Sequence, residues 1–214
     1  MALDKEELLR EILDILDRIE YVKLEDIPNI DLYMDQVTTF MDRKLRAASR
    51  DPKEDKVLTK TMINNYAKND LLPPPVKKKY SKEHVLLLIF IYYYKGILSI
   101  SDIQTLLNPI TEHFFRTEGE FGLDKVYYEV FEDAHEQKSR LAEDVKEKFR
   151  LACNSFADAP AEDVELLQMF SFICQLSVDV YLKKQIIERL IDHLAQESAG
   201  HNKAEKATKT SQLD

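Results

Sequence analysis

Glycine and proline are scarce in this chain, four and seven among 214 residues. A sandwich or barrel needs turn residues at every strand end, so this low punctuation excludes both and leaves an all-α protein. Tryptophan is absent, and cysteine is limited to Cys153 and Cys174. That pair forms neither a disulfide framework nor a zinc spacing, and reads as small buried apolar groups in a reducing compartment. Long apolar runs are also missing. The two longest uncharged stretches, 85–94 and 166–178, fall short of the roughly 20 residues that a membrane span needs. The N-terminal MALDKEELLREIL is charged from Asp4 and lacks a signal-peptide apolar region. These features predict a soluble, cytoplasmic protein with no membrane partner.

Catalytic signatures are equally absent. The chain has no glycine-rich phosphate loop, no nucleophile elbow and no HExxH pair. His84, His113, His135, His193 and His201 are scattered without ligand spacing, so no metal is expected. The many carboxylates sit among lysines and arginines, as on a solvated helix face. Neither an enzyme nor a cofactor is expected.

What the chain does have is helical patterning and an uneven charge. Apolar residues make up 44% of it, ample for a core, and the net charge is −9. Between Phe40 and His84 twelve Lys/Arg face six Asp/Glu, a local +6 on a remainder of −15. A basic segment on an acidic body points to a localised partner rather than indiscriminate binding.

Taken in order, Asp4 and Glu7 open a helix whose inner face carries Leu8, Ile12, Ile15, Leu16 and Ile19 and which ends before Pro28. Asp31 is placed to cap a second helix, with Leu32, Val37, Phe40, Met41 and Leu45 inward and Arg43, Lys44 and Arg46 in its last turn. The polar stretch 47–56, containing Pro52, reads as a loop. Thr59 caps a helix of about ten residues with Ile63 and Ala67 inward and Lys60, Thr61, Asn64, Asn65 and Lys68 outward, stopped by Pro73-Pro74-Pro75. Ser81, with Glu83 in the first turn, opens the apolar helix 82–94, and Lys95-Gly96 closes it. A helix apolar all round is the centre of a core. Its Tyr92-Tyr93-Tyr94 cluster is therefore expected in the core with hydroxyls reaching water. Ser99 and Asp102 cap a short helix 100–107 that Asn108-Pro109 ends. A turn at 111–116 and a loop with Gly119 and Gly122 follow. A single long helix spans 124–157, with Tyr127, Val130, Ala134, Leu141, Val145, Phe149, Ala152 and Phe156 inward. The last helix covers about 161–198, free of charge from 166 to 178 and amphipathic afterwards through Tyr181, Ile187, Leu190, Ile191 and Leu194. A polar tail from Gly200 reads as disordered.

The central stretch resembles the MerR-type regulators. The similarity lies in Leu71-Leu72-Pro73-Pro74, the basic Lys77-Lys78-Lys79, and Tyr80-Ser81-Lys82-Glu83 before the apolar helix. It continues through Gly96, Ser99, Ile103 and Leu106-Leu107 and covers about a quarter of the chain. The whole chain also resembles an uncharacterised, domain-of-unknown-function family of Gram-positive bacteria. The MerR resemblance implies a winged helix-turn-helix unit with Thr59 at the recognition-helix cap and 60–69 as that helix. It implies a domain over 1–117, a C-terminal helical region over 118–199 serving dimerisation or partner or effector binding, and a tail over 200–214. Double-stranded DNA is the implied partner, and a homodimer through the C-terminal helices the implied assembly. The helix at 124–157 is the favoured dimer element by analogy, with 166–178 as the alternative.

The DNA-facing residues expected on this basis are Lys60, Thr61, Asn64, Asn65, Tyr66 and Lys68 on the helix. Lys77, Lys78 and Lys79 form a short wing, with Arg43, Lys44 and Arg46 as further phosphate contacts. Asn and Lys suit base edges and phosphates in a major groove. Asn64 stands where the family carries a phosphate-gripping arginine, and Asp70 where it carries a turn glycine. Those departures, with the short wing and the acidic body, support a different reading: a protein-interaction adaptor on a degenerate core that no longer binds DNA.

Overall fold

The computed structural model describes residues 4–46, 57–117 and 121–210, with side chains described as far as residue 197. The expected loop at 47–56, Gly119 and the end of the expected tail lie outside the described residues. The described chain is helical apart from one small strand pair. Its elements are α1 (Lys5–Arg18), β1 (Leu32–Tyr33), α2 (Met34–Leu45), α3 (Lys60–Lys68), β2 (Lys79–Tyr80) and α4 (Lys82–Tyr94). Then come α5 (Ile100–Phe114), α6 (Leu123–Phe131), α7 (Ala134–Cys153) and α8 (Val164–Thr210).

The main core is built around α4. Every residue from His84 to Ile91 is buried, as expected of a segment with no polar side to show water. Four helices and the strand pair close over it. They contribute Val37, Phe40, Met41 and Leu45 from α2, Ile63 and Tyr66 from α3, Ile103 and Leu107 from α5, and Leu123 and Tyr127 from α6. Burying a dozen large side chains at about 1.5–3 kcal/mol each is what holds this unit against its chain entropy. The tyrosine cluster lies at the edge of this core: the Tyr92 hydroxyl reaches the Leu45 carbonyl at 3.5 Å. The Tyr93 hydroxyl does not reach water: it is buried without a hydrogen-bond partner.

A second, smaller cluster joins α1, α7 and α8 through Val145, Ala152 and Phe172, with Ile12, Phe149 and Leu176 against them. Asp4 caps α1 by accepting from the amides of Glu6 and Glu7 at 3.0 and 3.2 Å. No residue of α1 is buried, and Ile15 is 58% exposed. The helix is held on the second cluster by polar contacts: Lys5 Nζ donates to Gln168 Oε1 at 2.6 Å and Lys138 Nζ to the Asp17 carbonyl at 2.5 Å.

Several elements differ from their sequence expectation. The start of α2 is capped by Gln36, whose Oε1 accepts the Tyr33 amide at 2.8 Å, and not by Asp31. The reason is that Leu32 and Tyr33 are drawn into the strand pair, which shifts the helix start two residues on. Pro109 does not end α5. The helix continues to Phe114 because Ile103, Leu107, Ile110 and Phe114 prolong one apolar face over the main core, which outweighs a single missing amide. The single long helix at 124–157 is two, broken at Glu132-Asp133. Leu123, Tyr127 and Phe131 face the main core, whereas Val145 and Phe149 face the second cluster, and no straight helix can address both. Accordingly Val130, Leu141 and Phe156 are 40–50% exposed rather than inward. Cys153 and Cys174 are half-buried rather than buried.

The last helix begins with the described apolar run but does not bury it. Phe172 and Ile191 are 4% exposed, yet Leu166 is 70% exposed, Phe170 60% and Ile173 53%. By length, and with an 18-residue window of mean hydropathy 1.2, the helix Val164–Glu197 is long and apolar enough to cross a membrane. Asp179 within it is held by Lys148 of α7 at 2.6 Å.

Candidate nucleic-acid interface

α3 starts at Thr59, whose hydroxyl accepts the Met62 amide at 3.1 Å. Ile63 and Tyr66, three residues apart, fix the helix on the core. Lys60, Thr61, Asn64, Asn65 and Lys68 lie exposed on the outer side. Tyr66 is 7% exposed, and burial raises its hydroxyl above the ordinary tyrosine range. It anchors the helix and does not belong to the outer face.

The helix ends in a Schellman turn. The amides of Leu71 and Leu72 both return to the Tyr66 carbonyl, at 2.9 and 3.2 Å, and Asp70 takes the left-handed conformation with φ 55°. Glycine is the usual occupant of such a position, because an L side chain there crowds the following carbonyl. Gln104 of α5 donates its side-chain amide to the Asn69 carbonyl, a link between α3 and α5 that no spacing in the sequence announces.

The lysine run forms a defined turn. Val76 and Lys79 exchange both backbone hydrogen bonds, at 3.1 and 2.9 Å, leaving Lys77 and Lys78 as a two-residue tip with φ of 49° and 65°. Positive φ at both central residues is a type I′ hairpin, whose twist suits a β-ribbon and which normally takes Asn-Gly. β2 continues this hairpin and pairs antiparallel with β1, Tyr80 opposite Leu32 and Lys79 opposite Tyr33. Tyr80 is buried, and that burial raises its hydroxyl.

The start of α2 joins the two basic features. Lys79 Nζ sits 5.2 Å from the centre of the Tyr33 ring, and two residues on Asp35 forms an ion pair with Lys60 at the start of α3. The Tyr33–Asp35 corner therefore lies between the hairpin and the N-terminal end of α3. Lys60 is partnered, whereas Lys68, Lys77 and Lys78 make no ion pair among the described residues.

Arg43, Lys44 and Arg46 are elsewhere. They occupy the opposite end of α2, roughly 15 Å along its axis from Asp35 at 1.5 Å per residue. Lys44 is held by Asp26 at 2.9 Å and Arg46 by Asp42 through bonds of 2.8 and 2.5 Å. Arg43 is exposed. The structure thus gathers Lys60, Lys77, Lys78 and Lys79 around one corner, keeps Thr61, Asn64, Asn65 and Lys68 on the adjoining helix face, and sets the α2 triplet apart.

Behind the hairpin stands His84, completely buried. Its Nδ1 accepts the Ser81 amide at 3.0 Å and lies 2.8 Å from Ser81 Oγ, so the proton of the neutral ring is on Nε2, facing the Pro73 and Pro74 carbonyls. Nε2 has no partner at normal hydrogen-bond geometry. Desolvation lowers its pKa to about 4, offset in part by the Pro74 carbonyl and reinforced by the charge of Arg116. Tyr80 and Phe115 pack edge-on against the ring at 5.5 and 4.8 Å. Glu83, expected only as a helix-start charge, accepts the Arg116 amide at 2.7 Å. A histidine three residues after a serine cap was the available sequence signal for this buried contact.

Residues 22–131 match a family model described as Domain of unknown function (DUF1836). That span starts after α1 and ends with α6, and so coincides with the main core. No curated protein and no solved structure matches the chain.

Proposed function

The chain belongs to the DUF1836 family, and from that premise we propose that it is a DNA-binding transcriptional regulator of MerR-like winged-helix type. α3 would enter the major groove of double-stranded DNA through Asn64, Asn65 and Thr61, with Lys68 on a flanking phosphate. Lys77, Lys78 and Lys79 would follow the backbone as the wing. The observation that carries this proposal is the hairpin tip. Two lysines occupy left-handed positions that favour Asn-Gly, on a ribbon joined through Tyr33 and Asp35 to the start of a helix with a polar outer face. Exposed lysines in strained turn positions cost stability locally, and a charged partner supplies a reason for them. Such a protein would act in the cytoplasm without a cofactor or catalytic step.

Fluorescence anisotropy with mixed genomic duplex fragments tests this directly. The wild type is expected to bind saturably and to weaken steeply with salt, and Lys77→Glu/Lys78→Glu/Lys79→Glu to lose binding. Absence of binding at low salt, or indifference to the triple change, would overturn it.

A second reading rests on the Lys60–Asp35 ion pair and on Asp70. Both set negative charge beside the proposed DNA face, as suits a helical adaptor for a protein partner on a core that has lost DNA binding. Pull-down with the same triple variant separates the two: an adaptor would keep its partner and show no duplex binding.

A further inference from the structure

We infer that the groove between the linker after α1 and the outer side of α6 is a binding site for a small planar aromatic anion. Its volume is about 840 Å³, within the roughly 300–1,000 Å³ of small-molecule sites. One wall is the linker 19–25; the other is α6 with the start of α7. The two walls are tied together, because the Tyr127 hydroxyl donates to the Val22 carbonyl at 2.5 Å. The groove is therefore formed before any ligand arrives, and it needs neither DNA nor a second chain.

The lining chooses the ligand. Tyr21 and Phe131 pack at 4.8 Å between ring centres, and Tyr127 and Phe131 at 4.7 Å, so the floor is aromatic. Tyr21 is 39% exposed and Tyr128 50%, which leaves ring surface open for another ring to pack against. The charge comes from Lys82 at the start of α4. It is half-buried in the lining, and its ammonium makes no ion pair or hydrogen bond among the described residues. A partly desolvated ammonium without a partner favours an anion beside it. The other charges are spent or peripheral. Lys138 is taken by the Asp17 carbonyl, Glu132 accepts from the Tyr128 hydroxyl at 3.3 Å, and Glu20, Lys23 and Glu25 stand exposed on the rim. Asp31 and Asp124 line a second groove that Lys82 also borders, yet neither pairs with it. A flat aromatic body carrying one carboxylate matches this set. Bound there it touches both walls, and so joins the linker to the break between α6 and α7.

The test is isothermal titration calorimetry of the full chain with naphthoate, naphthylmethanol and naphthylmethylammonium, probes of similar shape and three different charges. Wild type is expected to bind one naphthoate per chain, the alcohol about tenfold more weakly and the ammonium not at all. Lys82→Glu is expected to reverse that order of preference, which a merely structural lysine would not do. Tyr21→Ala/Tyr128→Ala should weaken naphthoate about tenfold with an unchanged helical circular dichroism spectrum. Tyr181→Ala, which removes an exposed ring of α8, should leave the affinity as it was. Hydrogen exchange with naphthoate present should protect amides of 19–25 and 131–138. No saturable binding at millimolar naphthoate, equal binding of the three probes, indifference to Lys82→Glu, or protection confined to α8 would overturn the inference.

Discussion

Four residues stand in conformations or states their chemistry resists: Asp70, Lys77 and Lys78 on the surface and His84 in the interior. Asp70 holds the left-handed end of α3 with φ 55°. Asp70→Gly relieves the crowding but adds freedom to the unfolded chain, for a net gain of about 0.5–1 kcal/mol in urea unfolding. Lys77→Asn/Lys78→Gly fits the type I′ tip and is expected to add about 1 kcal/mol by the same measurement. It also removes two charges, so duplex affinity should fall while stability rises. A purely structural lysine run would move neither quantity in that opposed way.

His84 supplies the sharpest pH dependence at this scale. Folded, it is held neutral with a pKa of about 4; unfolded, it titrates near 6.5. The unfolded chain thus binds the extra proton first. Its contribution is complete above pH 6.5, declines as pH falls from 6.5 towards 4, and levels off below. The span corresponds to about 3 kcal/mol, order-of-magnitude. Urea unfolding at pH 7 and pH 4.5 should show most of that loss in wild type, and a His84→Gln chain, though weaker at pH 7, should show a much flatter dependence.

Among the elements, the ones that declare themselves in sequence are those that start and stop on local chemistry. Thr59 and the triple proline bound α3, Ser81 and Lys95-Gly96 bound α4, and Ser99 opens α5 where its cap predicts. Elements shaped by long-range packing were not legible. The break between α6 and α7 exists because two clusters compete for one run of apolar residues, and nothing local at Glu132-Asp133 marks it. Pro109 reads as a stop and is carried by a face that only the core defines. The candidate interface divides in the same way. The outer face of α3 follows from its period, but Tyr66 turns inward on a three-residue step that alternation alone leaves open. The neutralisation of Lys60 and Lys44 depends on Asp35 and Asp26 reaching them in space, whereas Asp42–Arg46 is a four-residue step along α2.

α1 carries a prediction of its own. It fully buries no side chain, so beside the partial packing of Ile12 its place rests on Lys5, Lys138 and one interior amide. Gln168, 7% exposed, accepts from Lys5 and donates to the carbonyls of Cys153 and Ser155 at 2.8 and 3.0 Å. Gln168→Leu leaves those buried carbonyls and the Lys5 ammonium without their partner, a cost of about 2–3 kcal/mol. Hydrogen exchange should show amides of α1 losing protection while those of α4 keep theirs, since α4 belongs to the other cluster.

For the whole molecule, charge sets what a duplex would meet. A net −9 body repels DNA, so attraction has to come from the local +6 segment and from Lys68, Lys77 and Lys78 in particular. Three phosphate contacts per chain give a slope of log affinity against log salt of about −3. Lys77→Glu/Lys78→Glu should keep the wild-type circular dichroism spectrum and lose most of that slope in anisotropy measured across a salt series. A double variant that kept the full slope would place the attraction elsewhere on the chain, and the hairpin would then be no wing.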